Sequence, residues 1–431
     1  MKLQTPKGFK DYYGSELRLR KKIINTLSEI FESYGYEPLE TPSVEYAETI
    51  LGKYGKEAEK LIYRFQDAGD RDLALIYEMT TSACRYVAQN YQNTSFPFKR
   101  YQIQKAWRAE KPQRGRLREF IQCDADVWGE KSVAVDAEFI DMSIKAMTEL
   151  GFKDFVVKIS NRKILSAIAS ISKIPENKFY DFTISIDKLE KIGKEKVYKE
   201  LISREIGEKS VEKAMQIINS SKTLESLKNA ISSSSEGLEG VVELEEIFKI
   251  LDESGVNKNH YAFSPSIVRG LSYYTGPIWE VEVKEGKNIG SVSGAGRFDN
   301  LTKTLSGIDI PASGGSFGID RLTQIISERE DSSISPSVSK VLVTTFSPEL
   351  SQDSREIAKT LRDKKINTEL YLDSEAKLKK QLKYASNKDI PYIVVVGPDE
   401  KKQEKAVLKN MKTGKQETLD IDSLVKALSC K

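Results

Sequence analysis

The chain of 431 residues holds a single histidine, His260, and three cysteines, Cys84, Cys123 and Cys430. One histidine excludes a metal centre built on imidazoles and makes a Ser-His-Asp or Cys-His triad a poor expectation. The cysteines have no paired spacing, which fits a reducing compartment and argues against a zinc knuckle. No metal site from His or Cys is therefore expected. Long hydrophobic runs are also missing: no stretch approaches the ~18 uncharged apolar residues of a membrane helix. The opening MKLQTPKGFKDYYG has neither an apolar core nor an Arg/Ser-rich amphipathic leader. A cytoplasmic chain without membrane contact is the expectation. Chemistry must then rest on Arg, Lys, Asp, Glu, Gln, Tyr and backbone groups.

Charge of one sign is lacking too, with 67 basic against 64 acidic residues. Its distribution is uneven, because residues 339–431 carry 19 Lys/Arg against 14 Asp/Glu. A basic C-terminal part is a weak hint of a polyanionic partner, and on charge alone a solvated Lys-rich surface is the favoured reading.

Periodicity predicts a helix over 15–34, closed by Gly35, and a second over 136–150, where Phe139, Ile140, Met142, Ala146, Met147 and Leu150 form one apolar face before Gly151. A short strand follows at 155–159. Residues 161–240 are rich in Lys, Glu, Ser and Ile and have helical spacing, which reads as an inserted helical module. Strands and glycines return afterwards, and the polar, Ser/Pro-rich stretch 329–339 reads as a linker. Beyond it, strands at 341–346, 368–372 and 392–397 alternate with helices at 354–365, 376–386 and 422–429. That alternation predicts a small α/β domain with a largely parallel sheet.

Four stretches carry candidate chemistry. Between Lys99 and Arg118 stand eight basic residues and one acid, Glu110, with strand-like segments on either side of PQRG. This predicts a hairpin with a long basic loop, suited to a phosphate-bearing ligand because guanidinium forks pair bidentately with phosphate oxygens. In the returning strand, Gln122, Asp124 and Asp126 recur at period two and so face one way. Downstream, VRGLSYYTG places Arg269 beside Tyr273 and Tyr274. The glycine-rich strings SGAGRFDNL and SGGSFGIDRL allow close backbone approach, and Arg321 falls near a helix start where phosphate is favoured. In LIYEMTTSACR, Glu78 and Thr80 share a face if extended and could receive an ammonium group. A capped helix start at Thr80–Thr81 is an equal reading.

Taken in order, PKGFKDYYG, RAEKPQRGR with FIQCDADVWG, RGLSYYTG, AGRFDNL and GSFGIDRL resemble the class II aminoacyl-tRNA synthetases, and more narrowly the histidyl-tRNA synthetase family. The resemblance spans nearly the whole chain, and RGLSYYTG is its discriminating string. It implies an α+β fold: a class II antiparallel sheet flanked by helices, a helical insertion, and a C-terminal α/β anticodon-binding domain. The implied division is 1–160 and 241–328 for the catalytic core, 161–240 for the insertion, 329–339 for the linker and 340–431 for the anticodon domain. It implies ATP with Mg²⁺, L-histidine and histidine tRNA as ligands, and a homodimer.

By the same resemblance, Arg108 and Arg269 would hold the α-phosphate from two sides, with Gln122 beside them at the amino acid's polar end. Arg116, Phe120 and Arg321 would complete the ATP site, Phe120 by stacking on adenine. Glu78, Thr80 and Gln122 would receive the amino acid's polar end, and Asp126 and Tyr274 the imidazole nitrogens, with Tyr273 and Phe298 alongside. Lys111, Gln113 and Arg114 would meet the tRNA acceptor end. The chain departs from the family pattern at Ile76-Tyr77 before Glu78, at Asp126 for Glu, at Ser272 for Asp, at Phe298 for Tyr and at Asp320 for Glu. A second implied reading is a catalytically inactive synthetase-like regulatory paralogue, either a histidine-biosynthesis subunit or a sensor of uncharged tRNA.

Overall fold

A computed structural model describes residues 3–51, 59–113, 116–269, 273–285, 290–329 and 335–429. Arg114, Ser272, Cys430 and part of the expected linker lie outside these residues. The chain forms two compact units, one of residues 1–11 and 20–330 and one of 12–19 and 331–431.

The first unit is built on an eight-stranded sheet in the order β1-β5-β6-β11-β10-β9-β7-β8. These strands are β1 (Glu37–Pro38), β5 (Phe98–Trp107), β6 (Glu119–Trp128), β7 (Phe155–Asn161), β8 (Tyr261–Phe263), β9 (Pro277–Val283), β10 (Ser293–Arg297) and β11 (Ala312–Gly318). The six inner strands run antiparallel, and only the edge pairs β1/β5 and β7/β8 are parallel. A three-stranded antiparallel sheet of β2 (Val44–Tyr46), β4 (Asp72–Leu75) and β3 (Arg64–Gln66) stands apart from it.

Helices cover the large sheet because their apolar stripes match its apolar positions. Phe139, on the helix Ala134–Glu149, packs 5.6 Å from the Trp279 ring and 6.5 Å from Phe317. Phe31, on the helix Gly14–Ser33, meets Tyr101 at 5.5 Å and the same Phe317 at 6.0 Å. The stretch after β7 is helical as its periodicity predicts. It begins at the helix Arg162–Ile171, where the Asn161 side chain accepts from the Lys163 amide. The helix Ser235–Glu253 runs straight through position 240 and lies against Arg162–Ile171, with Gly237 giving the clearance: a Cβ there would come 2.5 Å from that of Ala167.

The second unit is a five-stranded sheet in the order β13-β12-β14-β15-β16. Its strands are β12 (Val341–Val343), β13 (Thr368–Leu370), β14 (Tyr392–Val395), β15 (Lys405–Asn410) and β16 (Gln416–Asp420). Val341 and Val343 pack on one face with Ile357, Leu361 and Leu424, while Leu342 faces Ala385 and Ile393 on the other. The expectation of a largely parallel sheet needs correction. β12 pairs in parallel with β13 and β14, but β14/β15 and β15/β16 are antiparallel. The missed hairpin turns at Gly414, which has φ +75°, and its polar strands bury few residues, Ala406 and Leu408 on β15 and none on β16, so they carry a weak apolar signal.

Candidate active site

The basic hairpin forms as its sequence predicts. β5 and β6 pair from Phe98↔Trp128 to Trp107↔Glu119, and the loop between them begins at Arg108. Its base is fixed by the N-terminal segment, where the Arg118 amide donates to the Gly8 carbonyl at 2.9 Å. Gly8, at φ +90°, presses so closely on Arg118 and Pro112 that no side chain fits there. Gln113 and Arg116 exchange backbone hydrogen bonds across the loop. Lys111, Gln113 and Arg116 are exposed, and a cleft beside them is lined by Leu61, Glu110, Lys111, Pro112, Gln113 and Arg116.

Arginines gather at one end of the sheet face. The Arg108 guanidinium lies between two rings, 4.4 Å from the Tyr77 centroid and 4.9 Å from Phe120, and its Nε donates to the Tyr77 carbonyl at 3.1 Å. One face of Phe120, the ring assigned to adenine, is thus covered by Arg108. Arg269 pairs with Glu280 of β9 at 2.5 Å and lies over Gly294 of β10, where any Cβ would overlap its guanidinium. Burial works against the Arg269 charge, but the facing Tyr274 and Glu280 raise its pKa. Arg321, in the first turn of the helix Ile319–Ser327, donates to the Ser291 carbonyl and forms no ion pair among the described residues. Its pKa is lowered first by burial and then by the charges of Arg116, Arg269 and Arg108, with Glu280 opposing. Four arginines from three separate stretches therefore repel one another around one space. Such a cluster is stabilised by a polyanion.

Carboxylates gather at the other end. Gln122, Asp124 and Asp126 of β6 face one way, as their spacing predicts, and Gln122 Nε2 reaches Asp124 at 3.3 Å while its Oε1 is buried without a hydrogen bond among the described residues. Asp126 is buried and contacts Arg100, its register partner on β5. Burial pushes Asp126 up to about 7 against the pull of Arg100, and Asp124 up to about 6. The charge of Glu78 raises both. The extended reading of Glu78 and Thr80 fails, because a helix, Thr80–Gln89, starts there. Glu78 caps it, accepting from the amides of Thr80 at 2.7 Å and Thr81 at 2.8 Å. A buried carboxylate is held in place this way at the N-terminal end of the helix dipole.

Aromatic rings wall this end. Tyr273 and Tyr274 lie 4.8 Å apart, Tyr273 meets Phe298 edge-on at 5.7 Å, and Phe298 meets Trp128 at 6.3 Å. Tyr274 lies above Gly296, where a Cβ would come 2.8 Å from its ring. The glycines of the two rich strings are thus the floor beneath Arg269, Tyr274 and Asp126. The arginine in AGRFDNL serves differently: Arg297 is buried and bonds Asp136, the Glu130 and Ser132 carbonyls and Asp299. His260 stacks on Phe155 at 4.2 Å, as a packing residue. Cys84 and Cys123 are free and buried. From sequence, Arg100 counts only as one of the hairpin's eight basic residues, Glu280 is not singled out, and Asp124 has no assigned role. Period two already marked Asp124, whereas Arg100 and Glu280 are visible only once strand register is known.

An antiparallel sheet with a basic hairpin loop, an arginine-lined end and a carboxylate-lined end defines the catalytic core of a class II aminoacyl-tRNA synthetase. A family model described as histidyl-tRNA synthetase matches residues 8–322, and one described as an anticodon binding domain matches 340–431. The histidine–tRNA ligase of Christiangramia forsetii is 37% identical, with 99% of each chain covered. That of Bacteroides fragilis is 38% identical, with 98% of each covered. A crystal structure of histidyl-tRNA synthetase from Nostoc sp. superposes with a TM-score of 0.88 at 29% identity, covering 100% of this chain and 99% of that one. The chain belongs to the histidyl-tRNA synthetase family.

Proposed function

We infer that this protein activates L-histidine with ATP and transfers the histidyl group to the 3′ end of histidine tRNA. The observation that carries this reading is the polarity of the site, with arginines at one end and carboxylates at the other. ATP is bound with its phosphates among Arg108, Arg116, Arg269 and Arg321. Histidine lies toward Glu78, Thr80 and Gln122 by its amino group and toward Asp126 and Tyr274 by its ring. The histidine carboxylate attacks the α-phosphorus, the bond to the β-phosphate oxygen breaks, and pyrophosphate leaves. Arg108 and Arg269, on either side of the α-phosphate, stabilise the charge that develops there. The Gln122 Oε1, buried and without a hydrogen bond among the described residues, is a ready acceptor for an ammonium N–H. A site that satisfies both ring nitrogens rejects analogues lacking them, since its own groups would be left unpaired.

Mg²⁺, when bound with ATP, would supply charge neutralisation to its phosphates. Among the described residues no three His, Cys, Asp or Glu side chains gather into a metal site. Glu280, the acid facing Arg269 and Arg321, is the group on this chain fitted to share the ion. Phe120 stacks adenine on the face that Arg108 leaves open. Tyr273 and Phe298 wall the histidine pocket, Phe298 by its ring alone. Lys111, Gln113 and Arg114 meet the acceptor end of the tRNA, and the C-terminal unit takes the anticodon. The protein acts as a homodimer in the cytoplasm. No residue favours the regulatory reading: Arg108, Arg269 and Arg321 are all present.

The test is amino-acid-dependent ATP–pyrophosphate exchange without tRNA, run with each of the twenty amino acids. Exchange with histidine alone is expected. Histidine binding without exchange would instead establish the regulatory paralogue.

A further inference from the structure

We propose that Arg100 is a positioning residue for histidine recognition, whose buried guanidinium holds one oxygen of Asp126 and leaves the other, above Gly314, to receive the imidazole. The inference rests on the histidine-activating reading of the site. Arg100 and Asp126 are opposite in the β5/β6 register, so their side chains lie on one face of the sheet. The Arg100 side chain is 0% exposed, and its Nη2 contacts Asp126 Oδ2. Trp128 covers the guanidinium at 5.5 Å. On the far side, Asp126 is paired with Gly314 of β11, and a Cβ at that glycine would overlap Asp126 Oδ1. The carboxylate is thus clamped between an arginine and a gap that only glycine leaves.

A purely structural ion pair has no need of that gap. The same unit contains one for comparison, between β10 and the helix Ala134–Glu149. In Arg297–Asp136 the Nε and Nη2 of Arg297 both donate to Asp136 Oδ2, Nη1 takes the Glu130 carbonyl, and the second carboxylate oxygen takes the Ser313 hydroxyl at 2.6 Å. Arg100–Asp126 is open by contrast. Arg100 Nε, Nη1 and Nη2 and Asp126 Oδ2 are all buried without a hydrogen bond among the described residues, so the pair is held by the charge contact of Nη2 with Oδ2 alone, and Asp126 Oδ1 lies against Gly314. Buried donors and acceptors left over on both members mark a pair built around something it must still bind.

The charge environment gives a signature that a merely structural pair would not. Asp126 titrates at about 7, raised by burial and by Asp124 and Glu78 and lowered by Arg100. Tyr274, Cys84 and Tyr36 also face it. An ionised Asp126 accepts from the imidazole N–H as a charge-assisted acceptor, and a protonated one accepts only as a weaker neutral carbonyl. Removing Arg100 raises the Asp126 pKa, so the pH at which the histidine KM reaches its floor moves up. Titration of the substrate imidazole is common to both enzymes and cancels in the comparison.

The experiment measures histidine-dependent ATP–pyrophosphate exchange by the full chain across pH, for wild type, Arg100→Gln, Arg100→Lys, Asp126→Asn and the double variant Arg100→Gln/Asp126→Asn. Arg100→Gln is expected to raise the histidine KM about tenfold or more, the scale on which partners behind a binding group act. The ATP KM stays near wild type, the pH floor moves upward, and Arg100→Lys recovers part of the loss. The double variant is expected to match Asp126→Asn, because Arg100 acts only through Asp126. A folded Arg100→Gln with unchanged histidine KM overturns the proposal. So does a double variant worse than Asp126→Asn, and that comparison still decides if Arg100→Gln alone fails to fold, since the neutral pair leaves no lone buried charge. A wild type without histidine-dependent exchange refutes the function and not the role of Arg100.

Discussion

The two sheets of this molecule handle buried polarity in opposite ways. Among the described residues, the buried charged side chains are Arg20, Glu45, Glu78, Arg100, Asp124, Asp126, Asp136 and Arg297, all in the first unit. The second unit buries only neutral polar groups, and each is met close by. Gln381 bonds the Thr345 amide and the Thr345 and Ala376 carbonyls, Thr344 bonds the Val394 carbonyl, and Ser354 bonds the Thr344 carbonyl. Burying a charge costs several kcal/mol even when it is paired. The five-stranded sheet shows that a domain of this chain folds without that cost. The eight-stranded sheet bears it where a charged substrate must be oriented, and also where Arg297 ties strand β10 to the helix Ala134–Glu149.

The contrast can be broken most severely without touching a charged residue. Gly294→Ala places a methyl where the Arg269 guanidinium lies, and the flexible end of Arg269 can move away. The chain should fold with a near wild-type melting temperature, while histidine-dependent exchange falls by about 10²–10³, the effect of losing one transition-state donor. Unchanged exchange would mean that Arg269 is not needed where it lies.

Next in size is the closed pair. Arg297→Met strands the buried Asp136 carboxylate and should destabilise the first unit by about 3–5 kcal/mol in urea unfolding. Exchange per folded molecule should hold. Equal loss of exchange in fully folded protein would make Arg297 part of the chemistry.

The smallest effect belongs to the second unit. The helix Leu378–Asn387 has no acidic residue, and exposed Lys377, Lys379 and Lys383 have no ion pair among the described residues. Lys379→Gln with Lys383→Gln should weaken tRNA binding modestly and make its salt slope shallower by about one for each phosphate no longer neutralised. A salt slope identical to wild type would place the tRNA elsewhere.

Much of the molecule was legible where one residue pattern implies one structure. The hairpin around PQRG, the helix with Phe139 and Met147 on one face, and the strands and helices from 341 to 395 all follow from periodicity and turn residues. What escaped depends on partners distant in sequence. Arg100 reads as one more base in a basic stretch until β5/β6 register sets it against Asp126. Arg269 and Arg297 look alike beside their glycines, yet one lies over Gly294 with a single acidic partner, Glu280, and the other is enclosed by Asp136, Asp299 and two carbonyls. At Glu78 an extended segment and a capped helix start were equal readings, and the capping bonds to Thr80 and Thr81 decide for the second. The β15/β16 hairpin was missed because its half-buried, polar strands resemble a solvated loop.

The most direct test is tRNA-free ATP–pyrophosphate exchange with histidine, measured side by side for Arg269→Ala and for the Lys379→Gln/Lys383→Gln pair. Exchange should collapse in the first and stay at wild-type level in the second, with tRNA charging impaired in both. Exchange that survives in Arg269→Ala, or is lost in the lysine pair, would contradict the assignment of histidine activation to the charged face of the eight-stranded sheet.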